Sequence, residues 1–177
     1  MPPRSPVRSS TGWPLPDEAA TERLGEALAD ALAGEREAIR RGGLHIGLSG
    51  DLGAGKTTLV RALLRRSGIQ GSVKSPTFAL LEPYAVSRLN FYHFDFYRFR
   101  KPAEFAEAGF RDLFGAGCVC LTEWPERAGE YLPPLDLEVR LDIEDAGRHA
   151  ELSAFTETAE RCLEGLTMAW RQAPAAD

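Results

Sequence analysis

The segment GDLGAGKTTL, residues 50–59, decides the fold because it joins two apolar stretches of different character. The stretch before it, LHIGLS at residues 44–49, has the length and apolar content of a buried β-strand. The stretch after it, KTTLVRALLRRSG at residues 56–68, has apolar residues at helical spacing and a glycine where the helix should end. The sequence therefore predicts a strand, a glycine-rich loop and a helix in succession.

The loop of this unit fits the pattern G-x-x-x-x-G-K-[ST] from Gly50 to Thr57, which is typical of P-loops. Glycines let the backbone curve around phosphate oxygens with N–H groups pointing inward, and the helix start adds a partial positive charge. We expect Lys56 to contact the β and γ phosphates and Thr57 to bind Mg²⁺. The predicted nucleotide-binding residues of the loop are Gly53, Ala54, Gly55, Lys56, Thr57 and Thr58. The alternative is a glycine-rich turn without a ligand.

Two carboxylates come at the ends of apolar runs, where α/β sheets bind their ligands. Glu123 ends the run CVCLTE, and Asp95 ends the aromatic run FYHFD. We expect Glu123 to bind Mg²⁺ together with Thr57, the alternative being an ordinary solvated acid at a strand end. Asp95 is predicted to be functional because an unpaired charge is costly in so apolar a segment. Its alternative is a salt bridge with Arg98.

Two further features are candidates for regulation or for contact with a partner, and a histidine near them is weighed as a possible base. The SPTF segment lies where nucleotide-sensing switch loops occur in P-loop enzymes, although plain turn chemistry would also explain it. Its residues are Ser75, Pro76, Thr77 and Phe78. Trp124 follows Glu123 directly, so it is predicted to cover the site or contact a partner, or else to pack in the core. His93 is predicted to pack or to pair with another side chain rather than to act as a base.

The rest of the chain predicts a single domain of the α/β class, because strand-like and helix-like segments alternate. Residues 1–14 are rich in Pro, Ser and Arg and are predicted to form a flexible tail. Residues 15–166 are predicted to form a P-loop NTPase domain with a mixed, mostly parallel central sheet, flanking helices and a β-hairpin. Residues 167–177 are predicted to be a C-terminal tail.

The composition excludes several classes of protein. With 21 Lys and Arg against 26 Asp and Glu, the net charge of −5 argues against a protein that holds nucleic acid by bulk electrostatics. The longest apolar runs are far shorter than the roughly 18 residues that a membrane span needs. We therefore expect a cytoplasmic protein without membrane contact. The 3 cysteines lack paired CxxC spacing, so the sequence predicts neither a disulfide framework nor a zinc site.

Taken together, these motifs resemble one bacterial family, the ATPases of tRNA threonylcarbamoyladenosine biosynthesis called TsaE or YjeE. The loop at residues 50–59 alone would be shared with many families, but the motifs that follow it are more specific in order and spacing. The resemblance spans about Leu15 to Phe155 and rests on GDLGAGKTTL (50–59), VKSPTF (73–78), LLEPY (80–84), YHFDFYRF (92–99) and CLTEWPE (120–126).

The resemblance implies a small P-loop ATPase that uses ATP and Mg²⁺ to support the threonylcarbamoyl-adenosine (t6A37) modification of ANN-decoding tRNAs. It implies two partner proteins, of the TsaB and TsaD type, that form the threonylcarbamoyltransferase and that carry most of the tRNA binding. By the same resemblance, Thr57 and Glu123 match the Mg²⁺ ligands and Asp95 matches an acid that assists hydrolysis. The SPTF segment matches the first switch, and Glu18 and Arg148 match positions near the base or sugar of the nucleotide.

Three other functions remain compatible with a P-loop. A small-molecule kinase would usually add an arginine-rich lid, and the arginines here are scattered along the chain. A regulatory GTPase would carry an Asn-Lys-x-Asp signature, whereas the one asparagine of the chain is Asn90. A non-catalytic scaffold that binds nucleotide only to shape an interface would use the same residues as a slow ATPase.

Overall fold

The computed structural model describes residues 6–86 and 89–172. The strands are β1 (Ser9–Leu15), β2 (Leu44–Ser49), β3 (Leu81–Val86), β4 (Leu89–Asp95), β5 (Cys118–Glu123), β6 (Leu137–Glu144) and β7 (Gly147–Ala154). The helices are α1 (Glu18–Gly34), α2 (Arg36–Gly42), α3 (Lys56–Arg66), α4 (Glu104–Glu107) and α5 (Glu157–Gln172). Short 3₁₀ turns lie at Phe110–Leu113, Pro125–Arg127 and Gly129–Tyr131.

The strands form one mixed sheet of 7 strands in the order β1-β7-β6-β2-β5-β4-β3. The four central strands β6, β2, β5 and β4 run parallel to one another, and the outer pairs β1/β7, β6/β7 and β3/β4 are antiparallel. Parallel strands need cover on both faces, which explains why β2 is buried along almost its whole length. The predicted α/β fold with a mixed central sheet is confirmed, as is the hairpin, which is β3 and β4.

Two apolar clusters cover the two faces of this sheet. Successive side chains of a strand point to opposite faces, and on β5 Val119 and Leu121 belong to one cluster whereas Cys120 belongs to the other. The first cluster contains the buried side chains of α1, α3 and α5, and α1 packs against both of the other helices. The second cluster is aromatic and is centred on Phe94 and Phe96, whose ring centroids lie 5.6 Å apart. The sheet is thus fixed from both sides.

The prediction of an N-terminal tail over residues 1–14 is wrong for residues 9–14. These residues form most of β1, which pairs antiparallel with β7 from Ser9 opposite Ala154 to Leu15 opposite Arg148. Its residues are mostly small or polar, so no strong apolar alternation marks the strand. Pro14 is tolerated because β1 lies at the edge of the sheet. Residues 1–5 of the predicted tail lie outside the described residues.

The predicted C-terminal tail, residues 167–177, is likewise wrong for residues 167–172, which continue α5. The extension has a packing reason, since the rings of Trp170 on α5 and Trp13 on β1 have centroids 5.5 Å apart. Residues 173–177 lie outside the described part of the chain. No helix within residues 6–86 and 89–172 is long and apolar enough to cross a membrane.

Candidate functional site

The glycine-rich loop connects the end of β2 to the start of α3, as predicted. Its backbone needs glycine at three positions, because φ is +131° at Gly50, +81° at Gly53 and +103° at Gly55. At Gly50 a side chain is also excluded by space, since a Cβ there would collide with the carbonyl oxygen of Leu141. Since α3 begins at Lys56, directly after Gly55, the partial positive charge of its N-terminus lies at the loop.

Lys56 begins α3 and is almost completely buried, with 4% of its surface exposed. Its Nζ donates to the carbonyl oxygens of Gly50, at 2.6 Å, and of Asp51, at 2.8 Å. The same ammonium lies 4.0 Å from the ring centroid of Trp124, within the range of a cation–π contact. Burial lowers the pKa of Lys56, and the negative charge of Glu123 is the largest influence that opposes this shift. The positively charged side chain of Lys56 is thus held against the backbone of the glycine-rich loop.

Thr57 and Glu123 meet across the gap between α3 and β5. Thr57 Oγ1 donates to both carboxylate oxygens of Glu123, at 2.8 Å to Oε1 and 3.0 Å to Oε2. Glu123 is 3% exposed, so the alternative of a solvated acid at a strand end is wrong. Hydroxyl and carboxylate oxygens are ligands that Mg²⁺ prefers, together with water and substrate phosphates. The two side chains therefore fit a magnesium ion.

His93 approaches the same carboxylate from β4. Its Nε2 donates to Glu123 Oε1 at 2.8 Å, and its side chain is fully buried. His93 thus pairs with another side chain, as expected, although its partner was not predicted. Strand periodicity places His93 and Asp95 on one face of β4, and the β4/β5 register puts Asp95 opposite Glu123. The spacing of His93 and Asp95 in the HFD motif could therefore have predicted that both side chains lie on the same face of β4.

Asp95 ends β4 and is 5% exposed. Its Oδ1 accepts from the backbone N–H of Tyr97 at 2.9 Å, and its Oδ2 accepts from Thr77 Oγ1 at 3.1 Å. The alternative salt bridge with Arg98 does not occur among the ion pairs of the described residues. The Arg98 guanidinium instead lies 4.4 Å from the ring centroid of Phe78. The carboxylate is thus oriented by its own turn and by the SPTF segment.

The SPTF segment forms a turn that is linked to the site through a hydroxyl pair. Ser75 Oγ and Thr77 Oγ1 are 2.7 Å apart, and the backbone N–H of Leu80 donates to the carbonyl oxygen of Pro76 at 2.7 Å. Pro76 is buried, whereas Phe78 is 86% exposed. Leu80 has a φ of +64°, a backbone conformation that non-glycine residues seldom adopt. Turn chemistry and contact with the site are therefore both present.

Trp124 has a half-buried side chain that lies between the loop lysine and the aromatic turn after β4. Its φ of +58° turns the chain sharply after β5, and its backbone N–H donates to the carbonyl oxygen of Leu48 at 3.3 Å. Its ring packs against Tyr97, with centroids 5.1 Å apart, and faces Lys56. Trp124 thus covers Lys56 and also packs at the rim of the aromatic cluster.

Arg148 on β7 contacts the backbone of the glycine-rich loop. Its Nε donates to the carbonyl oxygen of Ala54 at 2.9 Å, and its Nη2 donates to that of Gly53 at 3.2 Å. Because the C=O and N–H of a planar peptide point in opposite directions, the contact at Ala54 directs the N–H of Gly55 away from Arg148. The guanidinium therefore fixes the orientation of a loop peptide.

The remaining two predicted residues lie beside this loop. Glu18 is exposed at the first position of α1, whose N-terminus is capped by the Asp17 carboxylate accepting from the backbone N–H of Ala20 at 2.7 Å. This turn borders the loop, since a Cβ at Gly55 would lie 3.3 Å from Thr21 Cγ2. Thr58 is half-buried in the first turn of α3. The structure thus brings the predicted site residues to one edge of the sheet.

A family model described as threonylcarbamoyl adenosine biosynthesis protein TsaE matches residues 15–150. The chain belongs to the TsaE family. The tRNA threonylcarbamoyladenosine biosynthesis protein TsaE of Haemophilus influenzae is 40% identical over 149 residues, covering 84% of this chain and 92% of that protein. The Bacillus subtilis protein of the same name is 35% identical over 131 residues, covering 74% and 80%.

A solved structure has a similar fold. The crystal structure of Bacillus subtilis YdiB superposes with a TM-score of 0.67 and 26% identity, covering 91% of this chain and 96% of that one. The family expected from the motifs between residues 50 and 126 is confirmed, and the likeness to YdiB extends the fold over nearly the whole chain.

Proposed function

We propose that this member of the TsaE family is a P-loop ATPase that binds and hydrolyses Mg-ATP in support of t6A37 modification of ANN-decoding tRNAs. The observation that carries the proposal is the 2.8 Å contact of Thr57 Oγ1 with Glu123 Oε1, next to the buried ammonium of Lys56. P-loop ATPases use such a hydroxyl, carboxylate and lysine to bind the metal and the phosphates. The tRNA part of the proposal is supported by the names of the relatives.

The phosphates would lie over the loop at the N-terminus of α3. Lys56 would exchange the carbonyl oxygens of Gly50 and Asp51, which it now contacts, for oxygens of the β and γ phosphates. Negative phosphate charge would favour the protonated form of Lys56, whose pKa burial lowers in the free protein. Because Trp124 covers this ammonium, we expect its ring to change position or environment when nucleotide binds.

Thr57 and Glu123 would hold Mg²⁺, with the hydroxyl turning from the carboxylate toward the ion. When bound, Mg²⁺ would neutralise charge on the β and γ phosphates as the bond to the γ phosphate breaks. Glu123 is fixed at the end of β5, so its carboxylate needs little rearrangement. Asp95, opposite it in register on β4, would orient a water molecule and accept its proton.

The loop with Ser75, Pro76, Thr77 and Phe78 would act as the switch. Thr77 donates a hydrogen bond to the Asp95 carboxylate, which is proposed to assist hydrolysis. The loop is therefore linked directly to a group that takes part in the proposed reaction. Loss of the γ phosphate would release the loop and change the surface around the exposed Phe78. We propose that this surface and Trp124 contact the partners, which are the proteins of the TsaB and TsaD type.

Glu18 and Arg148 would border the base or sugar of the nucleotide. Glu18 lies in the turn beside Gly55, and Arg148 is held at the loop through the carbonyl oxygens of Gly53 and Ala54. We propose that tRNA is bound mainly by the partners, which agrees with the net charge of −5. The reaction is proposed to take place in the cytoplasm, where tRNA is modified.

Steady-state ATP hydrolysis tests this proposal. The purified chain would be measured with Mg²⁺, alone and with the TsaB- and TsaD-type proteins of the same organism. We expect the partners to raise the rate and Glu123→Gln to lower it at least about tenfold. Glu130→Gln, which changes an exposed acid, is the matched control and should leave the rate unchanged.

Four results would contradict parts of the proposal. A rate that the partners do not change would remove the link to the threonylcarbamoyltransferase. Nucleotide binding without hydrolysis, with or without partners, would favour the non-catalytic scaffold. A stoichiometric phosphorylated metabolite would favour the kinase, and preference for GTP over ATP in a competition assay would favour the GTPase.

A further inference from the structure

His93 is a buried polar residue that the proposed reaction does not use. Its side chain is 0% exposed and its Nε2 lies 2.8 Å from Glu123 Oε1. Its Nδ1 is also buried and has no hydrogen-bond partner among the residues that the structure describes. A buried polar atom without a partner is costly, so an apolar residue would fill this position more favourably if packing were its only role. The contact at Nε2 therefore needs an explanation.

The contact falls on the carboxylate oxygen that Thr57 also uses. Glu123 Oε1 accepts from Thr57 Oγ1 at 2.8 Å and from His93 Nε2 at 2.8 Å. The two donors come from different elements, Thr57 from α3 and His93 from β4. A carboxylate that is 3% exposed is thus held from the helix and from the neighbouring strand.

The two contacts would not survive nucleotide binding equally. If Thr57 turns its hydroxyl toward a cation, the carboxylate loses that donor, whereas the donor on β4 does not depend on the loop. His93 can therefore hold Glu123 Oε1 throughout the reaction cycle. Oε2 would be left free to face the cation or its water molecules.

We propose that His93 is a positioning residue that fixes the Glu123 carboxylate for Mg²⁺. The inference rests on the proposed function, since it concerns the ion that accompanies ATP. His93 is not a catalytic residue, because its fully buried side chain contacts the carboxylate and not the open side of the loop. Side chains that orient metal-binding residues in this way typically change metal affinity 10- to 100-fold when they are replaced.

The hydrogen-bond pattern assigns the tautomer of His93. A carboxylate accepts hydrogen bonds, so the hydrogen must lie on Nε2. In the neutral ring this tautomer leaves a lone pair, and no unpaired N–H, at the buried Nδ1. Two-dimensional ¹⁵N spectra of histidine-labelled protein distinguish the two tautomers and do not depend on activity.

Three variants separate positioning from packing. The amide nitrogen of Gln reaches the place of His Nε2, so His93→Gln keeps a donor for Glu123. The amide of Asn reaches only the place of Nδ1, so His93→Asn keeps a polar group but loses the contact. His93→Leu fills the space without any donor. Thermal unfolding of each variant shows whether it folds. If His93→Leu does not fold, the ¹⁵N spectra of the unaltered protein still test the contact.

The deciding measurement is the affinity for a fluorescent ATP analogue at increasing Mg²⁺ concentration. For His93→Asn and His93→Leu we expect the half-saturating Mg²⁺ concentration to rise about tenfold or more. In excess chelator, the affinity of these two variants for the analogue should stay within about twofold of that of the unaltered protein, because the loop is unchanged. His93→Gln should restore most of the Mg²⁺ response.

An unchanged Mg²⁺ response in folded His93→Asn or His93→Leu would overturn the inference about His93 and leave the proposed function intact. The same applies if His93→Gln is as impaired as His93→Leu, or if the spectra show no hydrogen on Nε2. If the unaltered protein binds no nucleotide, or binds it without any response to Mg²⁺, the proposed function itself fails and the inference fails with it.

Discussion

Thr77 Oγ1 lies 3.1 Å from Asp95 Oδ2, so the SPTF loop holds one oxygen of the carboxylate at the end of β4. The other oxygen, Oδ1, accepts from the backbone N–H of Tyr97 at 2.9 Å. The loop and the carboxylate therefore constrain each other before any nucleotide binds. A change at the phosphates that moves Thr77 must also change the surroundings of Asp95.

Asp95→Asn should separate hydrolysis from binding. The amide keeps the shape of the side chain and one acceptor oxygen, but it cannot take a proton from water. We expect the rate constant for hydrolysis to fall about a hundredfold or more, the usual contribution of a general base, while ATP affinity changes less than about threefold. Single-turnover hydrolysis and equilibrium binding would be measured side by side. An unchanged rate would remove Asp95 from the reaction.

Thr77→Val should loosen the SPTF loop in the nucleotide-free protein. The substitution keeps the shape of the side chain but removes the hydroxyl that contacts both Ser75 and Asp95. A hydrogen bond to a charged group contributes about 1.5–3 kcal/mol, so amide hydrogen exchange across residues 75–80 should become about ten times faster or more. Thr77→Ser keeps the hydroxyl and is the control. Equal exchange in all three proteins would show that the contact does not order the loop.

His45 should make the protein less stable in mild acid. Both ring nitrogens of His45 form hydrogen bonds inside the fold. Nδ1 lies 3.1 Å from the Pro134 carbonyl oxygen, and Nε2 lies 3.0 Å from Thr122 Oγ1. Burial lowers the pKa of His45 from 6.5 to about 4. Between these values the unfolded chain binds a proton that the folded chain does not. The stability that His45 contributes is therefore fully present above about pH 6.5 and is lost as the pH falls toward about 4.

The expected loss in the free energy of unfolding is about 2 kcal/mol between about pH 7 and about pH 5. Urea unfolding of the unaltered protein and of His45→Asn, at both pH values, measures it. The variant lacks the titrating group, so its stability should fall less over this range. Other acids and histidines titrate in both proteins and cancel in the difference. Parallel pH profiles would show that His45 does not titrate in this way.

Much of the site could be predicted because its signals are local. The glycine-rich loop needs three residues with positive φ beside a lysine, and that requirement is written into a few consecutive residues. Glu123 and Asp95 could be placed together because the carboxyl ends of parallel strands meet at one sheet edge. Neither inference needed the register of any strand.

The features that were missed depend on pairing between distant segments. β1 has mostly small or polar residues, so only its pairing with β7 and the contact of Trp13 with Trp170 reveal it as a strand. The contact of His93 with Glu123 follows from the register that sets His93 opposite Leu121. No local pattern fixes that register, because a shift by one residue would turn every side chain to the other face.

Equilibrium binding of Mg-ATP to the unaltered chain and to Lys56→Met tests the central claim most directly. Methionine fills a similar space without the charge, and Lys74→Met, which changes an exposed lysine, is the control. Titration calorimetry should show binding by the unaltered chain and by Lys74→Met. Lys56→Met should bind at least about tenfold more weakly, as expected when a charged hydrogen bond to phosphate is lost. Equal affinity for all three proteins would contradict a phosphate-binding role for the loop.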